Sequence, residues 1–481
     1  MKRAYIILGI LLLLSMCHYA QVPCESGMAG IYPCCNYDLQ SITPLDEIGV
    51  SNKSSDIWGW TDLETGKEYA IYCGNNGTSF IDVSDPLEPI YIGFLNAHSS
   101  ESNWRDVKVY SNHAYIVSEA GGHGMQVFDL TRLGEVDISP AIFDEDNHMD
   151  DFGGAHNISI NELTGFAYVI GADLYSGGPI FIDLADPVNP VIVGGYDGDG
   201  YTHDTQVVIY SGPDVEHQGK EIAFAFNENS LTIVDVTDKT DPTQLSRLEY
   251  IQSDYSHQGW LNLDQNIIFL GDETDELEFG FNTRTMIMDV SDLEDPFLIQ
   301  EYFAETQATD HNMYVKDNLL YQSNNSSGLR VLEINEASDN ILAEVGFFDS
   351  FPLNDDAGFT GTWSVYPYFE SGNIILSARF GGLFIVKESE IENCPVGIEE
   401  ISMQTFNISP NPSAGIFTIV ALQSRMLSVE IFNIAGKLLM RQNDFNSTIV
   451  NLDLSNYSQG IYFLKIEDSS GDFQTSKLFK F

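Results

Sequence analysis

One short phrase recurs along the chain, and it constrains the fold more than any other feature. It reads Phe80-Ile81-Asp82-Val83-Ser84-Asp85-Pro86, then Phe181-Ile182-Asp183-Leu184-Ala185-Asp186-Pro187, Ile233-Val234-Asp235-Val236-Thr237-Asp238 and Met288-Asp289-Val290-Ser291-Asp292. Looser copies are Val127–Leu130, Val331–Ile334 and Leu383–Val386. Alternating β-branched and aromatic residues form a strand, and Asp with Pro then forces a turn. The acids at 82, 129, 183, 235, 289 and 333 are spaced 47, 54, 52, 54 and 44 residues apart. That is the length of a four-stranded propeller blade. A second marker leads each repeat: Trp58-Gly59, Arg105-Asp106, His156-Asn157, His203-Asp204, His257-Gln258, His311-Asn312 and Trp363-Ser364. Seven markers predict an all-β chain built on a seven-bladed β-propeller.

The seventh repeat stops after Val386 and lacks its outer strand. The stretch from Leu39 to Gly49 resembles that missing strand, so the N-terminal strand is expected to close the ring and remove the exposed edges. Closure would bring Cys394 near Cys24, Cys34 and Cys35. Four cysteines allow three pairings. The favoured set is Cys24–Cys34 with Cys35–Cys394, leaving Cys73 unpaired; buried free thiols are the alternative.

The markers open the innermost strands, so their side chains should ring one mouth of the central channel. This places Trp58, Arg105, Asp106, His156, Asn157, His203, Asp204, His257, Gln258, His311, Asn312 and Trp363 on one axial face. Three readings stand side by side. The pairs tie neighbouring blades together by hydrogen bonds. They form a polar ligand pocket with aromatic walls. Or His156, His203, His257 and His311 hold a divalent metal. Separately, Asp272, Glu273, Asp275 and Glu276 offer oxygens that suit calcium, as do the stretches 144–151 and 197–200; solvated acidic loops are the plain alternative.

Charge narrows the partners. The 481 residues carry a formal charge of −50, and residues 21–400 alone carry −52, from 13 basic and 65 acidic side chains. Such a surface repels nucleic-acid phosphates and anionic headgroups, which argues against both as partners. With 43% hydrophobic residues the chain has ample material for a core, so disorder is not expected.

Lys2 and Arg3 precede an apolar run from Ile6 to Leu14, the pattern of a signal peptide over residues 1–20. No later stretch is apolar and long enough for a transmembrane segment. From 405 the composition changes: residues 401–481 hold six basic and six acidic side chains, with short alternating strands between Pro, Asn and Gly turns. These predict a small C-terminal β-sandwich over 405–481, behind a linker at 388–404.

Two resemblances follow. Asn76–Pro86, Ser102–Val107, His257-Gln258-Gly259-Trp260, Gly271–Glu276 with Thr283-Arg284-Thr285, and Asp310–Met313 resemble the LVIVD repeat of the choice-of-anchor B family. The likeness covers residues 21–387 and implies an exported bacterial propeller attached at the cell surface, with no implied reaction. Ile408-Ser409-Pro410-Asn411-Pro412, Val429–Asn433, Gly460–Lys465 and Lys477–Phe481 resemble the C-terminal sorting domain of the type IX secretion system. This implies recognition by that machinery and an extracellular or outer-surface location. The functional expectation is a binding module that meets an unidentified extracellular ligand through the axial face. The alternative is an extracellular hydrolase or lyase using the histidine ring, with or without a metal. No Ser-His-Asp order, HExxH or Gly-rich phosphate loop favours the alternative.

Overall fold

The computed structural model describes residues 21–390, 406–411, 413–421, 425–433, 436–469 and 473–480. The expected signal peptide and most of the expected linker therefore lie outside the described residues.

Residues 28–388 form seven successive sheets, each with a four-stranded core whose neighbours in sequence pair antiparallel. The innermost strands are Ser54–Asp62, Arg105–Tyr110, Asn157–Asn161, Asp204–Ile209, Ser256–Leu261, Met313–Lys316 and Thr362–Tyr366. Each packs against the next, and Thr362–Tyr366 packs back against Ser54–Asp62. The strand Tyr37–Thr43 pairs antiparallel with Gly382–Glu388, as the outer strand of the last sheet. Tyr32–Cys35 pairs with Leu342–Phe348 at the edge of the sixth sheet.

The recurrent phrase has a plain local cause. Its first Asp accepts a hydrogen bond from the backbone two residues on: Asp82 from Ser84, Asp183 from Ala185, Asp235 from Thr237 and Asp289 from Ser291, at 2.8–3.1 Å. The second Asp does the same, from Leu87, Val188, Thr240 and Glu294. Two consecutive Asx turns therefore end the third strand of the sheet and set the entry of the fourth. A register shift falls in the same place in six sheets, including Leu39/Ser41 in the strand supplied by the N-terminus. Such a bulge increases local twist.

Apolar residues of facing sheets fill the space between them. Ile71, Phe80, Val107 and Phe128 share one buried cluster; Val117, Ile158 and Ile182 share the next. Cys24 and Cys34 form a disulfide. Cys35 is not free, and its expected partner Cys394 lies outside the described residues. Among the described residues Cys73 is the free thiol, and it is buried.

The C-terminal region is described separately. It has a three-stranded sheet (Phe406–Ser409, Ile416–Ala421, Ile449–Asp453) and a four-stranded sheet (Leu438–Ser447, Met426–Phe432, Gly460–Asp468, Phe473–Lys480). Phe417, Ile431, Leu452 and Leu464 are buried between them.

Candidate functional site

The first residues of the inner strands converge on one small cavity. Ser55, Asp56, Trp104, Arg105, Asp106, His156, Asn157, His203, His257, His311, Asn312 and Trp363 line it. The four imidazoles form a continuous arc: ring centroids are 4.2 Å apart for His156 and His203, 4.1 Å for His203 and His257, and 4.4 Å for His257 and His311. Trp363 continues the arc 4.0 Å from His311, and the Arg379 guanidinium lies 4.0 Å above the Trp363 ring. A local feature aims these side chains inward. The pairing register skips His257 and Trp363, which sit on bulges, and bulges re-aim side chains next to sites.

One position departs from expectation. Trp58 was expected at the mouth, but a bulge between Ser54 and Ile57 moves the marker register, so that Ser55 and Asp56 occupy it. Trp58 lies further along the strand, against Tyr314, Tyr366 and the Lys108 ammonium.

The two residues of each marker divide the work. The second residues tie neighbouring sheets. Gln258 donates to the Met313 carbonyl and accepts from its amide; Asp106 accepts from the Ile158 amide at 3.0 Å; Asn312 donates to Ser364 at 3.1 Å. The hub below the imidazoles is highly acidic. Lys108, which no sequence signal singled out, donates to both Asp106 oxygens at 2.8 and 3.0 Å. Burial pushes Asp56 up to about 6 and Asp204 up to about 8, against the opposing pull of Lys108.

Among the first residues, Arg105 donates to His123 Nε2 at 2.6 Å and to the Gly74 carbonyl. Burial lowers it to about 10. His156 Nδ1 contacts Glu119 at 2.6 Å. His203 Nδ1 donates to the His257 carbonyl at 3.0 Å. The Nδ1 atoms of His257 and His311 are buried without a hydrogen-bond partner. Burial holds His203, His257 and His311 well below the ordinary imidazole range, so they are neutral at pH 7. One further group faces them: the Glu273 carboxylate lies 3.7 Å from His257 Nε2 and 3.6 Å from His311 Nε2, and burial raises it to about 8. Only a fold could reveal this meeting of residues from three places in the chain.

The four acids of the loop turn to different partners. Asp272 accepts from the Asp254 and Tyr255 amides and from the Tyr250 hydroxyl. Glu273 turns to the hub. Asp275 accepts from Arg284 Nε at 2.6 Å, and Glu276 accepts from the Arg284 amide. The expected calcium set of Asp272, Glu273, Asp275 and Glu276 is thus split between partners. In the stretch 144–151, Asn147–Met149 is the outer strand of the second sheet.

Comparison with known proteins bears on the two parts differently. Residues 407–480 match the family described as secretion system C-terminal sorting domain. The tail therefore marks a secreted or outer-surface protein recognised by the type IX machinery. No curated protein matches the chain. A similar solved structure is the β-propeller domain of Myceliophteria thermophila Cps50 (Swd1), at 10% identity and a TM-score of 0.44, covering 69% of this chain and 96% of that one. The rest of the chain is all-β, in seven sheets with antiparallel cores whose inner strands pack in succession. Among the described residues, no helix is long and apolar enough to cross a membrane.

Proposed function

We propose that residues 21–387 form a closed, seven-bladed propeller of the choice-of-anchor B type. On this reading residues 1–20 are removed, the tail directs export, and the propeller works outside the cell as a binding module. The ring of contacts among the seven inner strands, with Tyr37–Thr43 completing the last sheet, supports closure.

The size of the hub cavity carries the binding reading over the enzymatic one. It offers about 20 Å³ to a water-sized sphere, room for one water or one ion. Pockets that enclose small-molecule ligands are of order 300–1,000 Å³. A larger ligand is therefore held across the rim, not inside. The rim is suited to that. Trp104 borders the cavity and is 40% exposed; Phe279, at the end of the short helix Asp275–Phe279, and Phe359 and Phe380, on loops, are exposed at the same end of the sheets. Exposed aromatic side chains supply contact area at low entropic cost. The surrounding acidic surface favours a neutral or cationic ligand.

Tryptophan fluorescence titration against neutral polysaccharides and cationic peptides tests this. The expected result is a ligand whose affinity falls at least 10-fold in both Trp104→Ala and Phe380→Ala, with melting temperature unchanged and the ligand recovered chemically intact. Ligands that bind both variants as tightly as the parent, or that are turned over, overturn the reading.

A further inference from the structure

We infer that the mouth of the hub is a transition-metal centre whose protein ligands are His257 Nε2, His311 Nε2 and the Glu273 carboxylate. Their ligand atoms lie within 4.8 Å of one another; His257 and His311 are buried and the Glu273 side chain is 12% exposed. This deepens the axial-face reading, because it assigns an occupant to the same mouth and uses the same inner-strand arrangement.

Distance is the first argument. Glu273 Oε2 is 3.7 Å from His257 Nε2 and Oε1 is 3.6 Å from His311 Nε2. Those separations exceed the 2.7–3.2 Å of an N–H···O hydrogen bond. They are close to the roughly 3.4 Å between two ligands that each stand about 2.0–2.1 Å from one tetrahedral ion. Among the described residues the Glu273 carboxylate makes no hydrogen bond; its groups stand apart by the width of a shared ion.

Orientation is the second. The His257 and His311 rings are inclined by 52°, so their in-plane lone pairs can converge. In both rings it is Nε2 that faces the Glu273 carboxylate, and among the described residues neither Nε2 makes a hydrogen bond. Two imidazoles and one carboxylate suit zinc and its first-row neighbours better than calcium, which takes six to eight oxygens.

Among the described residues, two other groupings bring three such side chains together, and neither has these properties. The His98 and His148 rings beside Glu145 are stacked 3.4 Å apart and only 6° from parallel, so their lone pairs run side by side and cannot meet at one ion. His217 beside Asp214 and Glu294 has both nitrogens occupied, Nε2 by Glu294 at 2.6 Å and Nδ1 by the Lys220 ammonium at 3.2 Å. Arg379 acts electrostatically on Glu273 and rests on the Trp363 ring.

The test uses the full exported chain, stripped with a chelator and titrated with zinc by calorimetry and with cobalt(II) as the visible-absorption probe. The expected result is one ion per chain, with cobalt bands of low-symmetry coordination. Affinity should fall by more than 10-fold in His257→Ala and in the isosteric Glu273→Gln, since even an outer-sphere partner is worth about 10–100-fold. His98→Ala should bind like the parent. Uptake of less than one ion by the folded chain, or one-ion uptake unchanged in both His257→Ala and Glu273→Gln, overturns the inference. Metal uptake is read with no other ligand present, so its failure is distinct from failure of rim binding, which Trp104→Ala reports.

Discussion

Replacing Lys108 with Met is expected to destabilise the propeller in a strongly pH-dependent way. The Lys108 ammonium is the cation of a layer that holds Asp56, Asp106 and Asp204; it bonds both Asp106 oxygens and sits 4.6 Å above the Trp58 ring. Met keeps the length of the stem and removes the charge. Breaking one side of a buried ion pair costs about 3–5 kcal/mol, or about 6–10 °C in melting temperature at about 2 °C per kcal/mol for a domain of this size. The pH dependence follows from the neighbours. A carboxyl whose folded pKa stands above its ordinary value stabilises the fold fully below pH 3.8. That contribution is lost as pH rises through about 6 for Asp56 and about 8 for Asp204. Lys108 pulls both values down, so its removal raises them further and moves the loss deeper. At pH 5.5 the deficit should therefore be smaller, because Asp56 and Asp204 are largely protonated with or without the lysine and the broken pair with Asp106 is what remains. At pH 8.5 it should be largest. Thermal melts of parent and variant at both pH values read this directly, with Lys67→Met as a control. The Lys67–Asp82 pair has a half-exposed lysine, and such pairs contribute less than about 1 kcal/mol. A deficit equal at pH 5.5 and 8.5, or below about 1 kcal/mol at pH 8.5, would refute the charge-layer argument. Adding Asp106→Asn to Lys108→Met should restore more than half of the loss at pH 8.5.

Two further outcomes rest on other parts of the fold. Replacing Cys24 and Cys34 together with Ala opens a loop of sequence separation 10; the loss of loop-closure constraint is worth about 2.7 kcal/mol, and a drop in the denaturant midpoint at unchanged slope checks it. Glu221 accepts from Asn161, Thr164, Tyr168 and Lys239, each at 2.7 Å, where the third sheet meets the fourth. Glu221→Ala is expected to cost at least about 2 kcal/mol, because it leaves a buried ammonium and three hydroxyl or amide groups without their acceptor; a melting temperature within 2 °C of the parent would contradict this.

Strand positions were legible because their causes are local. Asp82, Asp183, Asp235 and Asp289 bond amides two residues away, so the turn that ends each third strand is written within seven residues. The outer strand at Tyr37–Thr43 was legible for a related reason: it carries the pattern that the last repeat lacks, and it pairs where that pattern is missing. The imidazole arc was legible from the repeat register, since one register gives one height in the hub. Trp58 was misplaced because a bulge costs the sequence no visible mark. It moves Ser55 and Asp56 to the axis by local twist alone.

Glu273, Arg379 and Lys108 belong to a different order of information. Glu273 looked like one acid among four in an oxygen-rich loop; only the fold sends its carboxylate to the hub while its neighbours turn to Tyr255 and Arg284. Arg379 and Lys108 bear no motif. Their partners are fixed by which sheet lies beside which, and their ionisation by the depth at which burial and neighbouring charge compete. The chain's own residues thus determined its strands, its turns, its sorting tail and the shared height of four histidines. The assembled hub decided which of those histidines face a carboxylate, because distances across an axis depend on how sheets pack and are encoded in no single repeat.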